Sequence, residues 1–509
     1  MADILTRRRA LHLFGGAASA LAIGPLGGCD ALSDTRKAAT LALDRRPLTI
    51  PPLEQGKQIS GQRVFDLVLK RGTTSFFEGV QTPTIGINQS YLGPTLQMHR
   101  GDRVRMLVKN ELGEHATLHW HGFELPASAD GGPHQTIAPG ASWSAAFEVR
   151  QRASLYWCHS HALRRSGPQV YAGLAAPIYV RDEEEDALGL PSEYGVDDIP
   201  LVVQDRAFAS DGSLVYSSNM QSRMMGMIGD VLLVNGTHEP VFEARSNKLR
   251  LRLLNGSNAR FYEFAFRNGQ TFDLIASDGG LLKRPFRASR VRLAPGERAQ
   301  IVIDLVDDRP IDLVADSVSN MGMMGGGRMM GMGGIMRGQR GDALRADQFA
   351  VLSIVPAEDR RKGEPLPSEL TSYAAPDPAL AVATRRFVLG MGMGMMSGFT
   401  INGRSMNMAR IDERVPIGQW EIWEVENASM MAHPFHIHNA QFRILDRGGR
   451  APPPLETGFK DTVVVNPGET VRLLLRFEQN TDPELPYMYH CHILEHEDAG
   501  MMGQFVVTT

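Results

Sequence analysis

One pattern, used three times along the 509 residues, most restricts the folds open to this chain. An alternating strand that ends in asparagine occurs as Arg103 to Asn110 (RVRMLVKN), Leu249 to Asn255 (LRLRLLN) and Trp420 to Asn427 (WEIWEVEN). Each is followed downstream by a Pro-Gly pair and a second alternating strand: Pro139-Gly140 with SWSAAFEV, Pro295-Gly296 with RAQIVID, and Pro467-Gly468 with TVRLLLRF. Alternation at period two puts every second side chain on one face, the mark of a strand with one buried side. Proline presets φ at the second position of a turn, and glycine tolerates the positive φ that follows. Three copies in matched order predict three homologous all-β sandwiches, in keeping with roughly 150 residues per domain. Polar, proline-bearing stretches at 181–198 and 356–378 are the predicted linkers, and the charged run Arg181 to Asp186 (RDEEED) reads as solvated linker. Two Gly/Met tracts, 321–340 and 390–398, lack packing periodicity and read as mobile surface segments.

The N-terminus reads as an address. Thr6-Arg7-Arg8-Arg9 precedes an apolar, small-residue stretch from Ala10 to Gly28 that is too short and too glycine-rich for a membrane span. The paired arginines resemble a twin-arginine export signal, with an ordinary secretory signal as the alternative. Leu26-Gly27-Gly28-Cys29 resembles a lipoprotein cleavage box, which makes Cys29 a candidate lipid anchor. The segments are therefore 1–38 (signal and linker), 39–183, 184–357 and 358–509. A net charge of -4 supplies no electrostatic reason for a nucleic-acid partner, and nothing in the sequence demands an oligomer, so a monomer is expected. With three cysteines, Cys29, Cys158 and Cys491, no disulfide is predicted.

Ten of the 15 histidines fall in four tight clusters. They are His119-Trp-His121, His159-Ser-His161, His433-Pro-Phe-His436-Ile-His438, and His490-Cys491-His492-Ile-Leu-Glu-His496 followed by Met501. On a strand, residues i and i+2 share a face, so each HxH pair can aim two imidazoles into one cavity. Within His490-Cys491-His492 the thiolate faces the other way and can serve a separate metal. A thiolate, two imidazoles and a weak thioether describe a blue-copper electron-transfer site, assembled from Cys491, His496, Met501 and His433. Zinc accepts Cys and His, but it cannot pass electrons and leaves the other histidines and the methionine unexplained.

These motifs are similar to the four ligand motifs of the multicopper oxidase family, from about residue 45 to the C-terminus. The resemblance implies three consecutive cupredoxin-like Greek-key β-sandwich domains and four copper ions: one type 1, one type 2 and two type 3. It implies His433, Cys491, His496 and Met501 as type 1 ligands, and His119 and His436 as type 2 ligands. His121, His159, His161, His438, His490 and His492 would hold the type 3 pair. The middle domain carries no such cluster and would act as a spacer, or as a carrier of the substrate region. Asp130 and Glu497 match the family's acids near the type 2 and type 3 coppers, where reduction of dioxygen consumes protons. Cys158 reads as a buried inert thiol and His134 as a surface side chain.

Of 25 methionines, seven lie in 321–336, four in 391–396 and four in 220–227, beside glycines and without a helical or strand stripe. Thioethers are soft ligands that favour Cu(I). The tracts resemble the methionine-rich insertions of bacterial copper-efflux oxidases, which implies Cu(I) oxidation in the periplasm for copper tolerance. Met323, Met324, Met329, Met330, Met332, Met406 and Met408 are candidate ligands for substrate Cu(I). Near Met406-Asn407-Met408 the carboxylate usual in those enzymes is missing, with Asp412 and Glu413 as possible substitutes. The alternatives are a laccase-like oxidase of phenols or aromatic amines, and a copper-sequestering protein without turnover.

Overall fold

The computed structural model describes residues 46–321, 347–391, 398–478 and 481–509. Its strands form six sheets, two in each third of the chain. The repeated strand pairs are antiparallel neighbours in all three thirds: Arg103 lies opposite Glu148, Lys248 opposite Asp304, and Glu421 opposite Leu475. Each also has a parallel neighbour upstream, Gln62–Thr74, Asp198–Arg206 and Ala381–Met391 respectively.

The terminal asparagines explain the repeat. Asn110, Asn255 and Asn427 are buried, and each side-chain amide donates across the turn, to Ile137 O, Leu293 O and Val465 O at 2.8–3.0 Å. The glycine of each Pro-Gly pair donates its N–H back to the same asparagine's carbonyl at 2.8–2.9 Å. Those glycines, Gly140, Gly296 and Gly468, hold φ between +70° and +84°, a region costly for other residues. A short side chain carrying both donor and acceptor closes the same corner three times.

Parity along the strands places the histidines. His119–His121 pairs with Ser154–His159, with Trp120 opposite Cys158, and both of these point into the N-terminal core. His119, His121 and His159 are thereby left facing the other way. In the C-terminal third, His433–Ile437 pairs with Asp482–Cys491, with His436 opposite His490 and Phe435 opposite Cys491. Aromatic packing of Phe387, Trp423, Phe435, Tyr489 and Phe505 fills that core. A separate cluster of Phe76, Tyr91, Trp157, Leu233 and Leu254 joins the first two thirds.

Two sequence expectations are corrected. The charged run is not solvated linker: Glu183–Asp186 is a short helix capped by Asp182, and Glu185 is buried against Arg250 (2.6 Å) and Arg252 (3.2 Å). The 220–227 methionine stretch is not free of regular structure either. Met220–Met225 is a helix whose N-cap Asn219 accepts from Ser222 N.

Burial raises the Glu185 carboxyl, but Arg250 and Arg252 outweigh it and bring it down to about 2. Glu185→Gln leaves two buried guanidiniums short of a partner, so it is expected to cost about 3–5 kcal/mol at pH 7. Denaturant melts at several pH values test this. A carboxyl depressed in the fold stabilises above its unfolded pKa. The gap between wild type and variant should therefore shrink as pH falls from about 4.5 towards 2.

Candidate metal centre

Ten histidines and Cys491 meet in four buried donor groups, each with ligand atoms within 4.8 Å of one another. The groups are His433/Cys491/His496, His121/His159/His492, His161/His438/His490 and His119/His121/His436, with His121 shared between two. The histidine groups mix residues from the first and last thirds, and the rings interlock. His119 stacks on His438 at 3.8 Å and His121 on His436 at 3.7 Å.

In the sulfur-containing group, Cys491 Sγ stands 3.4 Å from His433 Nδ1 and 3.7 Å from His496 Nδ1, and the two nitrogens are 3.3 Å apart. Those edges suit bonds of about 2.0–2.3 Å radiating from one central ion. The outer nitrogens are held by the protein: His496 Nε2 donates to Met224 O at 3.1 Å, and His433 Nε2 pairs with Ser429 Oγ at 2.8 Å. A carbonyl only accepts, so the proton of His496 sits on Nε2 and the lone pair of Nδ1 faces the sulfur. Phe399 stacks on His496 at 4.2 Å. Met501 is buried, its carbonyl accepts from Cys491 N and its own N–H donates to His496 O.

The same test applies to the histidine groups. His119, His159, His436 and His490 turn Nδ1 to the carbonyls of Asp130, Ser160, Asp461 and Cys491 at 2.8–3.1 Å. Their Nε2 atoms are left for the cavity, where His161 and His490 Nε2 stand 3.1 Å apart and His438 and His490 Nε2 3.3 Å apart. His119 Nε2, His436 Nε2 and both His492 nitrogens are buried without a hydrogen-bond partner. Buried polar atoms are rarely left so. Burial, reinforced for most of them by neighbouring imidazoles, lowers these histidines, His159 to about 3 and His490 and His496 to about 4. Neutral imidazoles with unpaired lone pairs are what a metal requires. The donor set fits copper.

Asp130 and Glu497, the carboxyls the sequence singled out, are buried beside the cluster. Asp130 Oδ2 accepts from His438 Nδ1 at 2.8 Å, and its Oδ1, without a hydrogen-bond partner, lies 3.5 Å from His119 Nδ1. Glu497 reaches His161 Nδ1 and His490 Nδ1, each at 3.3 Å, and accepts from Ser166 Oγ. Burial raises both carboxyls well above the usual range.

Cys158 is a buried free thiol, raised by desolvation. His134 is not a plain surface residue: it is half-buried, with Nε2 paired to Gln504 Oε1 at 2.9 Å. Met406 and Met408 are half-buried, and Met406 N donates to the carbonyl of Gly500, next to Met501. Asp412 and Glu413 are taken up by Arg410 and Arg385. Met323, Met324, Met329, Met330, Met332 and Cys29 lie outside the described residues. The sequence reading missed Asp461, Arg298 and Ser429. Among the described residues no helix is long and apolar enough to cross a membrane.

Comparisons with known proteins bear on the family and the fold. Multicopper oxidase family models match residues 69–185, 201–312 and 381–509. The multicopper oxidase mco of Staphylococcus haemolyticus is 35% identical over 480 residues, covering 93% of this chain and 95% of its own. The cell division protein FtsP of Photorhabdus laumondii is 34% identical over 467 residues, covering 90% and 92%. Among solved structures, the laccase-like multicopper oxidase CueO of the lignin-degrading bacterium Ochrobactrum sp. is 35% identical with a TM-score of 0.79, covering 91% of this chain and 100% of that one.

Proposed function

Because the chain belongs to the multicopper oxidase family, we propose that it oxidises Cu(I) by single electrons at a type 1 copper and reduces dioxygen to water at a three-copper cluster. In this reading His433, Cys491, His496 and Met501 hold the type 1 ion. His119 and His436 hold type 2. His121, His159 and His492 hold one type 3 ion, and His161, His438 and His490 the other. Bound copper supplies the one-electron couples and the site where dioxygen gains four electrons and four protons to give two waters.

The rest is done by the protein. Cys491 sits between His490 and His492, each a member of a different histidine triad, so one peptide segment joins the sulfur group to both. That single arrangement carries the proposal. Backbone carbonyls fix the imidazole tautomers, which orients the donors before metal arrives. Asp130 and Glu497 are the acids that deliver protons, from positions in contact with cluster histidines.

Cu(I) as reductant is supported by the thioethers around the His433/His496 edge. Met431 lies two residues before His433 and pairs through its backbone with Met321, at the start of the methionine tract. Met321, Met430, Met220 and Met224 are exposed, and Met224 carries the carbonyl that holds His496. Soft donors at the rim would collect Cu(I) where its electron is needed. The N-terminal signal supports an exported, periplasmic enzyme serving copper tolerance. A laccase-like reading stays as the second, since the Ochrobactrum relative is described as acting on lignin model compounds and lignosulfonate. Oxygen uptake by the copper-loaded protein, with Cu(I) and a simple phenol side by side, separates the two. Fast uptake with Cu(I) and slow uptake with phenol is the expected result. The reverse ranking leaves a laccase-like enzyme.

A further inference from the structure

Arg298 begins the strand Arg298–Asp304 in the middle third, which supplies no donor to any of the four groups, and it is fully buried. Its guanidinium grips both oxygens of Asp461, Nη1 to Oδ1 at 2.7 Å and Nη2 to Oδ2 at 2.6 Å, and its Nε donates to Leu155 O at 3.0 Å. Leu155 is on the strand that ends in His159, and Asp461 immediately precedes Thr462–Val465, the neighbour of His433–Ile437. One side chain thus ties together the three thirds of the chain beside the cluster.

Asp461 serves two donors. Its backbone carbonyl accepts from His436 Nδ1 at 2.8 Å, and its Oδ1 accepts from His121 Nε2 at 3.0 Å. The second contact reverses the tautomer seen in His119, His159, His436 and His490. His121 carries its proton on Nε2 and turns the lone pair of Nδ1 to the cavity, 3.4 Å from His159 Nε2. A free carboxylate could swing away from the ring. A bidentate guanidinium fixes its plane. The turn before the same strand adds a second contact, because Gly296 packs on His492. A Cβ there would stand 3.0 Å from the ring carbons Cγ and Cδ2. His492, His121 and His159 form one donor group.

We propose that Arg298 is a positioning residue of the oxygen-reducing cluster. Through Asp461 it sets the tautomer and orientation of His121, so that the metal site closes only when the middle domain is docked. The middle domain then acts as part of the cluster's scaffold, where the sequence implied a spacer. The inference rests on the copper reading above.

The test uses the full-length protein loaded with copper, comparing wild type with Arg298→Met, Arg298→Lys and the near-isosteric Asp461→Asn. Copper per chain, the blue band, the paramagnetic resonance spectrum of the cluster and oxygen-uptake kinetics are read together with the melting midpoint. Arg298→Met and Asp461→Asn are expected to keep the blue band and the KM for the electron donor. They should change the cluster spectrum and lower copper affinity or kcat about 10–100-fold, the usual effect of losing a ligand's orienting partner. Arg298→Lys should recover part of this. The double variant Arg298→Met/Asp461→Leu checks a purely structural role, because an apolar pair can restore stability without restoring His121's partner. A recovered melting midpoint with the cluster still altered supports the inference. Single variants that melt lower but keep wild-type copper content, spectrum and kcat overturn it. A wild type that takes up no copper overturns the copper reading and this inference together.

Discussion

Cys491→Ser is expected to abolish the blue colour of the copper-loaded protein and to reduce its oxygen uptake to background. The loss is about 10³-fold or more, the scale seen when one member of a group acting as a unit is removed. Serine has nearly the right size but a hard hydroxyl, which cannot replace a soft, polarisable thiolate. Little else changes at this position, because the N–H of residue 491 still donates to Met501 O at 3.0 Å and the strand pairing with Phe435 is backbone work. The histidine triads contain no atom of Cys491, so the variant should lose one copper per chain and keep the others. Proton counting gives a second readout. Burial raises the thiol above its ordinary value, so it is protonated until metal arrives, and loading must expel that proton. Wild type should therefore release one more proton on copper uptake than the variant. A serine variant that stays blue and turns over would move the electron entry away from the His433/Cys491/His496 group.

The parts of this molecule that could be read in advance depend on short-range parity. The HxH pairs share a face because i and i+2 always do on a strand, and Trp120 and Cys491 face the other way for the same reason. The repeated Asn and Pro-Gly corners are equally local, closed by hydrogen bonds within about forty residues. What escaped the sequence is long-range or breaks a local rule. Arg298 meets Asp461 across 163 residues with no motif to link them. Glu185 looked solvated because its partners, Arg250 and Arg252, alternate with leucines in LRLRLL and read as an exposed polar face. That strand is buried throughout, and its arginine face is where Glu185 finds its charges. The helix Met220–Met225 is too short to show a period, and only the Asn219 cap betrays it.

Glu497→Gln should leave the copper content and the blue band unchanged and lower kcat by about 10²–10⁴-fold, the contribution typical of a positioned proton donor. Glutamine keeps the volume and can still accept from Ser166 Oγ, so the helix Leu494–Asp498 has no reason to move. It has no acidic proton. Glu497 is placed to matter twice over, since its two oxygens stand 3.3 Å from His161 Nδ1 and His490 Nδ1, both members of one triad. Burial raises the carboxyl, neighbouring Asp498 and Glu495 add to the rise, and the Ser166 hydroxyl opposes it. A raised carboxyl keeps its proton to higher pH than an ordinary one and loses it as the pH climbs further, so wild-type turnover should fall on the alkaline side of that transition. In Glu497→Gln that limb should vanish along with the rate, leaving a low, flatter profile. Stopped-flow reoxidation of the reduced, copper-loaded variant locates the defect: reduction at the sulfur-containing group should proceed at the wild-type rate, and only the oxygen step should slow. If both steps keep wild-type rates, protons reach the cluster by another route, and Asp130, hydrogen-bonded to His438, becomes the donor to replace next.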